Sequence, residues 1–323
     1  MRPLVCKGHT RPMTCLKYNR EGDLLISCAK DKEVCLFFQE TGERIGTYVG
    51  HEGSVYTCDI SWDSSRLVTA SADSSFRLWE LDTGKELCKW ALREQCRACC
   101  LAVGDRQAAF TADPFSGSPP RIHMVEITDD PLDQSDEILV SYDMPTRINR
   151  IKWTDCNRTL LTGDVEGCLS KWDVETGKLL HEVKAHGDAI NDMRFSVDDS
   201  HFVTASLDKT AKLIDTVSLE VLKEYKTEKA VNAADISPLY DHIVLGGGQD
   251  ASEVTTTAAQ AGQFESKFYH KIYAEEFGSV RGHFGPINTV AFHPSGRGFS
   301  TGGEDGFVRI HHFDDDYFTT KFF

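Results

Sequence analysis

Three residues that could form a hydrolase triad lie in the first quarter of the chain. His51, Ser71 and Asp73 could act as general base, nucleophile and orienting carboxylate in acyl transfer. The interval of twenty-two residues from His to Asp is not unique to this set, because it recurs at four positions of a longer repeat. The four pairs are His9 and Asp31, His51 and Asp73, His186 and Asp208, and His283 and Asp305. A catalytic centre needs to exist only once, so the recurrence favours a structural role for these pairs over catalysis.

Short strands have to position each pair. An apolar residue stands four places after each His, and another stands nine places after it. In chain order these are Met13, Val55, Ile190 and Ile287 for the first place, and Tyr18, Ile60, Phe195 and Phe292 for the second. Such short apolar segments are typical of strands. Trp79 lies in the string FRLWELDTG, which is typical of one strand of a β-propeller blade.

The same spacing recovers three further repeats that lack the His. Met144 as origin places Glu166 in the Asp position and Trp172 in the aromatic position, and Leu92 and Thr227 begin two weaker copies. Seven origins result, and most of them are 41 or 42 residues apart. The sequence therefore predicts an all-β fold, a seven-bladed β-propeller with four strands in each blade. The irregular spacings predict insertions near 113–121, 128–143 and 250–280.

The two ends of the chain and three short motifs complete this prediction. RPLVC, before the first repeat, has no earlier blade to join, so we expect it to pair with the last blade and cover an open sheet edge. The Thr-Gly pairs at 41–42, 83–84 and 176–177 predict tight turns, because Gly accepts a positive φ at little cost. We expect one domain over residues 1–323 with a C-terminal tail at about 314–323. The aromatic residues of this tail either pack on the last blade or form an exposed docking strip.

The repeated polar residues resemble the structural tetrad of WD40 propellers. In that tetrad a loop Asp, a loop His, a strand Ser and a strand Trp are hydrogen-bonded within one blade. Blade two matches it with His51, Ser71, Asp73 and Trp79. Blade five keeps His186, Ser206 and Asp208 but has Ile214 in the Trp position. Blades one and seven have Ala29 and Gly303 in the Ser position, so we expect their networks to be incomplete or to include water.

Composition excludes several classes of function. The net charge of −15 and the pI near 5.2 disfavour an autonomous nucleic-acid-binding protein, which normally has a basic face. The chain opens MRPLVCKGH without an apolar signal segment, so its 11 cysteines are interpreted as free thiols in the reducing cytoplasm. No apolar run approaches the roughly 18 residues that a membrane helix needs. We therefore expect a cytoplasmic protein without a membrane anchor.

Three other motifs could carry chemistry but favour a structural interpretation. Cys96 and Cys99 have a C-x-x-C spacing, but no second pair accompanies them, so core thiols are favoured over metal ligands. His311 and His312 are adjacent on a strand and point to opposite faces. The glycines at 246–248 lack the Lys and the helix of a phosphate-binding loop. The sequence thus predicts no catalytic residue, no metal site and no cofactor.

Longer segments resemble one particular family. GHTRPMTCLKYNREGDLL, GGGQDASEVTTT, GQFESKFYHKIYAEEFG and GHFGPINTVAFHPSG are similar to the i subunit of eukaryotic translation initiation factor three, over essentially the entire chain. The blade-six segment and its junction with GHFGP are the specific part of this resemblance, because a propeller fold does not require those sequences. The resemblance implies a non-catalytic seven-bladed WD40 propeller that assembles with the b and g subunits. Within that factor it would act at the small ribosomal subunit while mRNA and initiator tRNA are recruited.

The resemblance also implies where one partner docks. A helical C-terminal segment of the b subunit is expected near blades five and six, where KLIDTV supplies Leu213, Ile214 and Asp215. These residues could instead form an ordinary blade strand with Ile in the Trp position. The alternative function is another WD40 interaction adaptor, associated with a receptor or reading substrates for a ubiquitin ligase. The acidic charge predicts weak direct affinity for RNA in either case.

Overall fold

The computed structural model describes residues 3–248 and 264–320. Within them it contains 28 β-strands, a 3₁₀ turn at Pro131–Asp133 and one short helix, α1, at Asp315–Thr319. The strands form seven four-stranded sheets. The predicted all-β, seven-bladed propeller is thereby confirmed. Part of the predicted insertion near 250–280 and the last two phenylalanines lie outside the described residues.

Each sheet is one blade, and its strands follow one another along the chain. Blade one has β2 Met13–Tyr18, β3 Leu24–Ala29, β4 Val34–Phe38 and β5 Arg44–Tyr48. Blade two has β6 Val55–Ile60, β7 Arg66–Ser71, β8 Ser75–Glu80 and β9 Glu86–Ala91. Blade three has β10 Cys96–Leu101, β11 Gln107–Ala112, β12 Arg121–Glu126 and β13 Ile138–Asp143. Blade four has β14 Ile148–Thr154, β15 Thr159–Asp164, β16 Cys168–Asp173 and β17 Leu179–Lys184.

The remaining blades continue the pattern. Blade five has β18 Ile190–Phe195, β19 His201–Ser206, β20 Thr210–Asp215 and β21 Val221–Lys226. Blade six has β22 Val231–Ile236, β23 His242–Gly247, β24 Glu265–His270 and β25 Glu276–Arg281. Blade seven has β26 Ile287–Phe292, β27 Gly298–Gly303 and β28 Phe307–His312, and its fourth strand is β1 Leu4–Lys7.

The N-terminal strand pairs with the last blade, as predicted. β1 runs antiparallel to β28, with Leu4 opposite Ile310 and Lys7 opposite Phe307. Cys6 of this strand is buried at 4% exposure. The pairing gives β28 a partner on its second edge, which would otherwise present unpaired N–H and C=O groups.

The residues group into two compact units that alternate along the chain. The first comprises Met1–Ser27, Leu36–Ile45 and Asn191–Phe323, and the second comprises Cys28–Cys35 and Gly46–Ile190. Blades two, three and four therefore belong to the second unit. Blades six and seven and nearly all of blade five belong to the first. Blade one contributes residues to both units.

Each unit has apolar clusters between neighbouring sheets. In the second unit Phe76 of blade two stacks on Phe110 of blade three with their ring centroids 4.4 Å apart. In the first unit Leu213 of blade five belongs to a buried cluster with Val231 and Leu245 of blade six. This packing explains why the second strand of a blade, such as β3 or β7, is almost entirely buried, since it is covered on both faces.

The turns follow the sequence prediction, whereas two of the three predicted insertions differ from it. The glycines of the three Thr-Gly pairs have φ values of +69°, +70° and +66°, as the turn prediction requires. The predicted insertion at 128–143 is shorter than expected, because residues 138–143 form the outer strand β13. The described part of the insertion predicted near 250–280 likewise forms β24 and most of β25. At the C-terminal tail, Tyr317 stacks on Phe313 at 3.8 Å, so this ring packs on blade seven. No helix in the described ranges is long and apolar enough to span a bilayer.

Candidate protein-binding surface

Blade two contains a buried chain of hydrogen bonds. His51 Nδ1 lies 2.8 Å from Asp73 Oδ2, and a carboxylate can only accept, so Nδ1 carries the proton. His51 Nε2 then accepts from Thr69 Oγ1 at 2.7 Å. Thr69 Oγ1 in turn accepts from Trp79 Nε1 at 2.9 Å. Each polar group in this path from carboxylate to indole thus has a partner, which a buried network needs in order to stabilise the fold.

The strand hydroxyl in this network is Thr69, not Ser71, so that part of the prediction was wrong. Ser71 Oγ donates to Gly53 O at 3.2 Å and accepts from the N–H of Asp73. The reason is strand geometry. Trp79 on β8 pairs with Leu67 on β7. Thr69 is two residues from Leu67 along β7, whereas Ser71 is four residues from it, which is about 13 Å at the usual rise of a strand. Only the diagonal neighbour Thr69 is within reach of the indole.

Blade seven repeats the arrangement with a different fourth residue. His283 Nδ1 lies 2.9 Å from Asp305 Oδ1, and Nε2 lies 2.8 Å from Thr301 Oγ1. His311 takes the place of the Trp, with Nε2 at 3.5 Å from Thr301 Oγ1. The network in blade seven was expected to lack a hydroxyl, because Gly303 occupies the Ser position. Thr301, two residues earlier on the strand, supplies this hydroxyl.

The other blades keep parts of the network. In blade one Ser27 supplies the hydroxyl, 2.7 Å from His9 Nε2. This network therefore has its hydroxyl, although Ala29 occupies the predicted Ser position. In blade four Trp172 Nε1 donates to Thr162 Oγ1 at 3.0 Å, although Met144 stands in the His position. In blade five Ser206 Oγ accepts from the N–H of Asp208, as Ser71 does from Asp73. The predicted residue His186 lies in the connection between blades four and five and is buried at 2% exposure. Asp31 lies in the turn between β3 and β4 and accepts from the N–H of Glu33.

A second interval in the sequence could have identified the hydroxyl. Each of the four repeated histidines is followed eighteen residues later by Ser or Thr. These residues are Ser27, Thr69, Thr204 and Thr301. The interval of twenty residues that leads from His51 to Ser71 and from His186 to Ser206, by contrast, ends at Ala29 in blade one and at Gly303 in blade seven.

The electrostatics of these sites suit a structural network. Burial would raise the pKa of Asp73, but hydrogen bonds from His51 and Ser75 hold it below its ordinary value. Burial likewise opposes ionisation of Asp305, yet the hydrogen bond from His283 keeps its pKa low. Thr69 and Ser71 are both fully buried. Since no substrate can reach either hydroxyl in the folded blade, this His, hydroxyl and Asp set does not have the geometry of a nucleophilic site.

The predicted partner-binding residues divide into buried and accessible ones. Leu213 and Ile214 are 6% and 0% exposed, so their side chains belong to the core. Asp215 is only partly buried and caps the next turn, where Oδ1 accepts from the N–H groups of Val217 at 3.0 Å and Ser218 at 2.7 Å. A partner can therefore reach Asp215 and the turn that it organises, but not the two apolar residues before it.

Exposed apolar side chains lie on the turns at the same end of blades five and six as Asp215. We call this surface the five–six end, and it comprises Val197, Asp198, Asp215, Val217, Ile272 and Tyr273. Val197 and Val217 are 84% and 73% exposed, and Tyr273 is 61% exposed. The N–H of Thr216 donates to Ser200 O at 3.1 Å, which joins the two turns of blade five. The hydroxyl of Tyr225 donates to Lys271 O at 2.6 Å, which joins blade five to the turn that carries Ile272 and Tyr273.

The five–six end is also acidic. Hydrogen bonds from Ser196 and Ser200 lower the pKa of Asp198 to about 2. The N–H and the hydroxyl of Ser218 lower the pKa of Asp215 below its ordinary value. Both carboxylates are therefore ionised at neutral pH, and an apolar surface with two fixed negative charges is suited to a protein segment with apolar and basic side chains.

A cleft opens at the opposite end of the same two blades. Its lining comes from Thr227–Val231, Leu245–Gly248, Glu265 and Lys267. The glycines have a packing role, because a Cβ on Gly247 would meet Ala230 O at 2.2 Å and one on Gly246 would meet Ile287 Cγ2 at 2.7 Å. This close approach of backbone explains the Gly-rich string without a phosphate-binding function.

The cysteines show no arrangement for metal binding or disulfides. Cys96 and Cys99 are buried in the apolar cluster between blades two and three, and burial raises the pKa of Cys96. All 11 cysteines are free thiols. Among the residues that the structure describes, no group of three or more His, Cys, Asp or Glu side chains could hold a metal ion.

Comparison with known proteins identifies close relatives over the whole chain. A family model described as EIF3I matches residues 1–322. Eukaryotic translation initiation factor 3 subunit I of Bombyx mori is 47% identical over 324 residues, covering 100% of this chain and 98% of that protein. The proteins of the same name from Drosophila melanogaster and Culex quinquefasciatus are 43% and 42% identical, and each alignment covers 100% of both chains.

Proposed function

The chain belongs to the subunit I family of eukaryotic translation initiation factor 3, and we propose that it acts there as a non-catalytic scaffold. It binds the b and g subunits in the cytoplasm and makes no strong contact with RNA of its own. The observation that carries this proposal is the five–six end, an exposed apolar and acidic surface around Asp215. Its fit to a basic amphipathic segment supports a protein partner, while the net charge of −15 disfavours direct binding to phosphates.

The b subunit is the proposed occupant of the five–six end. An amphipathic helix presents apolar side chains on one face, and such a face matches a row of exposed apolar residues across neighbouring turns. Val197, Val217 and Tyr273 supply this row. Leu213 and Ile214 then support the surface from below, because their burial fixes the end of β20 from which Asp215 and Val217 project.

The g subunit is the proposed occupant of the cleft at the opposite end of blades five and six. Part of this cleft is lined by the family-specific stretch that begins at Gly246. Charged residues Lys229, Glu265 and Lys267 also line the cleft. Glu265 pairs with Arg281 at 3.1 Å and Lys267 with Glu276 at 2.9 Å, so these charges are held in place for polar recognition of a partner. Two partners on separate ends require surfaces held in fixed positions, so we also propose that residues 1–323 form one domain.

A pull-down with the C-terminal segment of the b subunit tests the main proposal. Val217→Asp places a charge on the five–six end and is expected to reduce retention of the segment at least about tenfold, since burying an unpaired charge is costly. Val49→Asp is the matched control, because Val49 is 78% exposed outside blades five and six. Equal retention by both variants, or no retention by the folded wild-type chain, would count against the proposal. Val217→Asp should still retain the g subunit normally. This result would show that the variant has lost one binding surface and has kept its fold.

A further inference from the structure

Two large apolar side chains project from the first turns of blades two and three. Trp62, between β6 and β7, is 63% exposed, and Val103, between β10 and β11, is 73% exposed. A tryptophan with most of its surface in water leaves a large apolar area unburied. Trp is also strongly enriched among the hot-spot residues that carry most of the binding energy at protein interfaces.

These two turns are held in place by hydrogen bonds between blades. The N–H of Trp62 donates to Asp105 Oδ2 at 2.7 Å, which joins blade two to blade three. Asn157 of blade four donates to Val103 O and accepts from the N–H of Val103, both at 2.8 Å. The backbone that carries both apolar side chains is therefore fixed before any partner arrives, which lowers the entropy lost on binding.

A third segment, the connection between β12 and β13, lies against the same turns. Arg66 at the start of β7 donates to the carbonyl groups of Thr128 and Asp129. Arg106, next to Asp105, forms an ion pair of 3.2 Å with Asp129. At the tip of this connection Leu132 is 92% exposed. We call the surface made by residues 61–66, 102–106 and 127–137 the acidic turn face.

The charge on this surface is strongly one-sided. Its three segments contain seven acidic residues and two arginines, a net of five negative charges. Both arginines bond to the 127–137 connection itself, at its carbonyl groups or at Asp129. The acidic residues are Asp63, Asp105, Asp129, Asp130, Asp133, Asp136 and Glu137. Exposed apolar side chains in a negative field match a partner that carries apolar and positive groups, and they repel phosphates.

We propose that the acidic turn face is a docking surface for a basic protein segment that carries Arg or Lys next to apolar side chains. Trp62 forms the centre of the contact, where its ring takes an apolar side chain or the cation of an Arg. Val103 and Leu132 extend the apolar contact, and the acidic residues of the connection pair with the flanking basic groups. This surface belongs to blades two and three and is independent of the five–six end.

Fluorescence anisotropy of a labelled peptide tests this proposal on the full chain. The probe is a synthetic peptide in which Arg-Lys pairs alternate with Leu, and its control has Glu in place of every Arg and Lys. Trp62→Ala is expected to weaken binding of the basic peptide at least about tenfold. The triple variant Asp133→Asn, Asp136→Asn, Glu137→Gln is expected to weaken it and to reduce its dependence on salt. Phe284→Ala is the matched control, because Phe284 is 87% exposed on blade seven.

Hydrogen–deuterium exchange of the full chain locates the contact. Protection by the basic peptide within 61–66, 102–106 and 127–137, lost in Trp62→Ala, supports the proposal. Equal affinity of the wild type and Trp62→Ala, equal affinity for the acidic peptide, or protection only in other segments overturns it. Polyuridine RNA that protects these three segments while the basic peptide does not would overturn the assignment to a protein partner.

Discussion

Replacing Thr69 by Val is the sharpest test of the buried network in blade two. Val has nearly the same shape as Thr, so the substitution removes the hydroxyl and leaves the packing of β7 in place. His51 Nε2 and Trp79 Nε1 would both lose the oxygen that lies 2.7 and 2.9 Å from them. Trp79 is 1% exposed and His51 is 6% exposed, so water has little access to either nitrogen.

The expected cost follows from the number of groups that lose a partner. Each buried polar group without a partner costs about 1–3 kcal/mol, so two of them reduce the free energy of unfolding by roughly 2–6 kcal/mol. Ser71→Ala is the matched variant on the same strand. It removes two bonds of 3.2 Å, to Gly53 O and from the N–H of Asp73, and the expected cost is about 1 kcal/mol.

Equilibrium unfolding in urea, followed by circular dichroism, measures both variants against the wild type. The midpoint should fall clearly further for Thr69→Val than for Ser71→Ala, with little change in the slope. Exchange of the Trp79 indole proton should also become faster in Thr69→Val. If Ser71→Ala were the more damaging substitution, the assignment of the network to Thr69 would be refuted.

Two further predictions concern the first unit. Deletion of residues 1–8 removes β1, exposes the edge of β28 and should lower the melting temperature; an unchanged value in calorimetry would contradict the role of this strand. Burial, together with the charge of nearby His270, lowers the pKa of His242 to about 4. Because the unfolded residue titrates near pH 6.5, acidification from about pH 7 to about pH 5 should destabilise the fold through this group. His242→Gln should therefore show a smaller drop in melting temperature over that range, and an equal drop would exclude His242 as a contributor.

The sequence predicts most of the fold because the repeat determines it. Strand positions recur at fixed distances from each His, and a register error of one residue would turn every apolar side chain of a strand outwards. Even Met144, which replaces a His, marks its blade correctly, since Trp172 still bonds to a strand hydroxyl. The pairing of β1 with β28 was predictable for the same reason, because the segment before the first repeat has no other blade to join.

The site was harder to predict because it depends on distances that spacing alone does not give. Ser71 and Thr69 lie on the same face of β7, and only the pairing of Leu67 with Trp79 shows which one reaches the indole. Leu213 and Ile214 have the composition of an interface, but both are buried, Leu213 in the cluster between blades five and six. The exposed residues Val197 and Val217 carry no motif, so their place at the end of the sheet becomes visible only in the structure.

The first turns of blades two and five show how the fold leaves room for such residues. Ser61 Oγ donates to Asp63 Oδ1 at 2.7 Å, and Ser196 Oγ donates to Asp198 Oδ1 at 2.6 Å. The fourth residue has a positive φ in both turns, +57° at Ser64 and +53° at Asp199. The turn thus depends on the side chains of its first and third residues and on the backbone conformation of its fourth. The side chain of the second residue takes no part in these bonds. That second residue is Trp62 in one turn and Val197 in the other, at the two surfaces proposed to bind partners. A repeat that constrains the turn but not this position allows each blade to carry a different contact without loss of the fold.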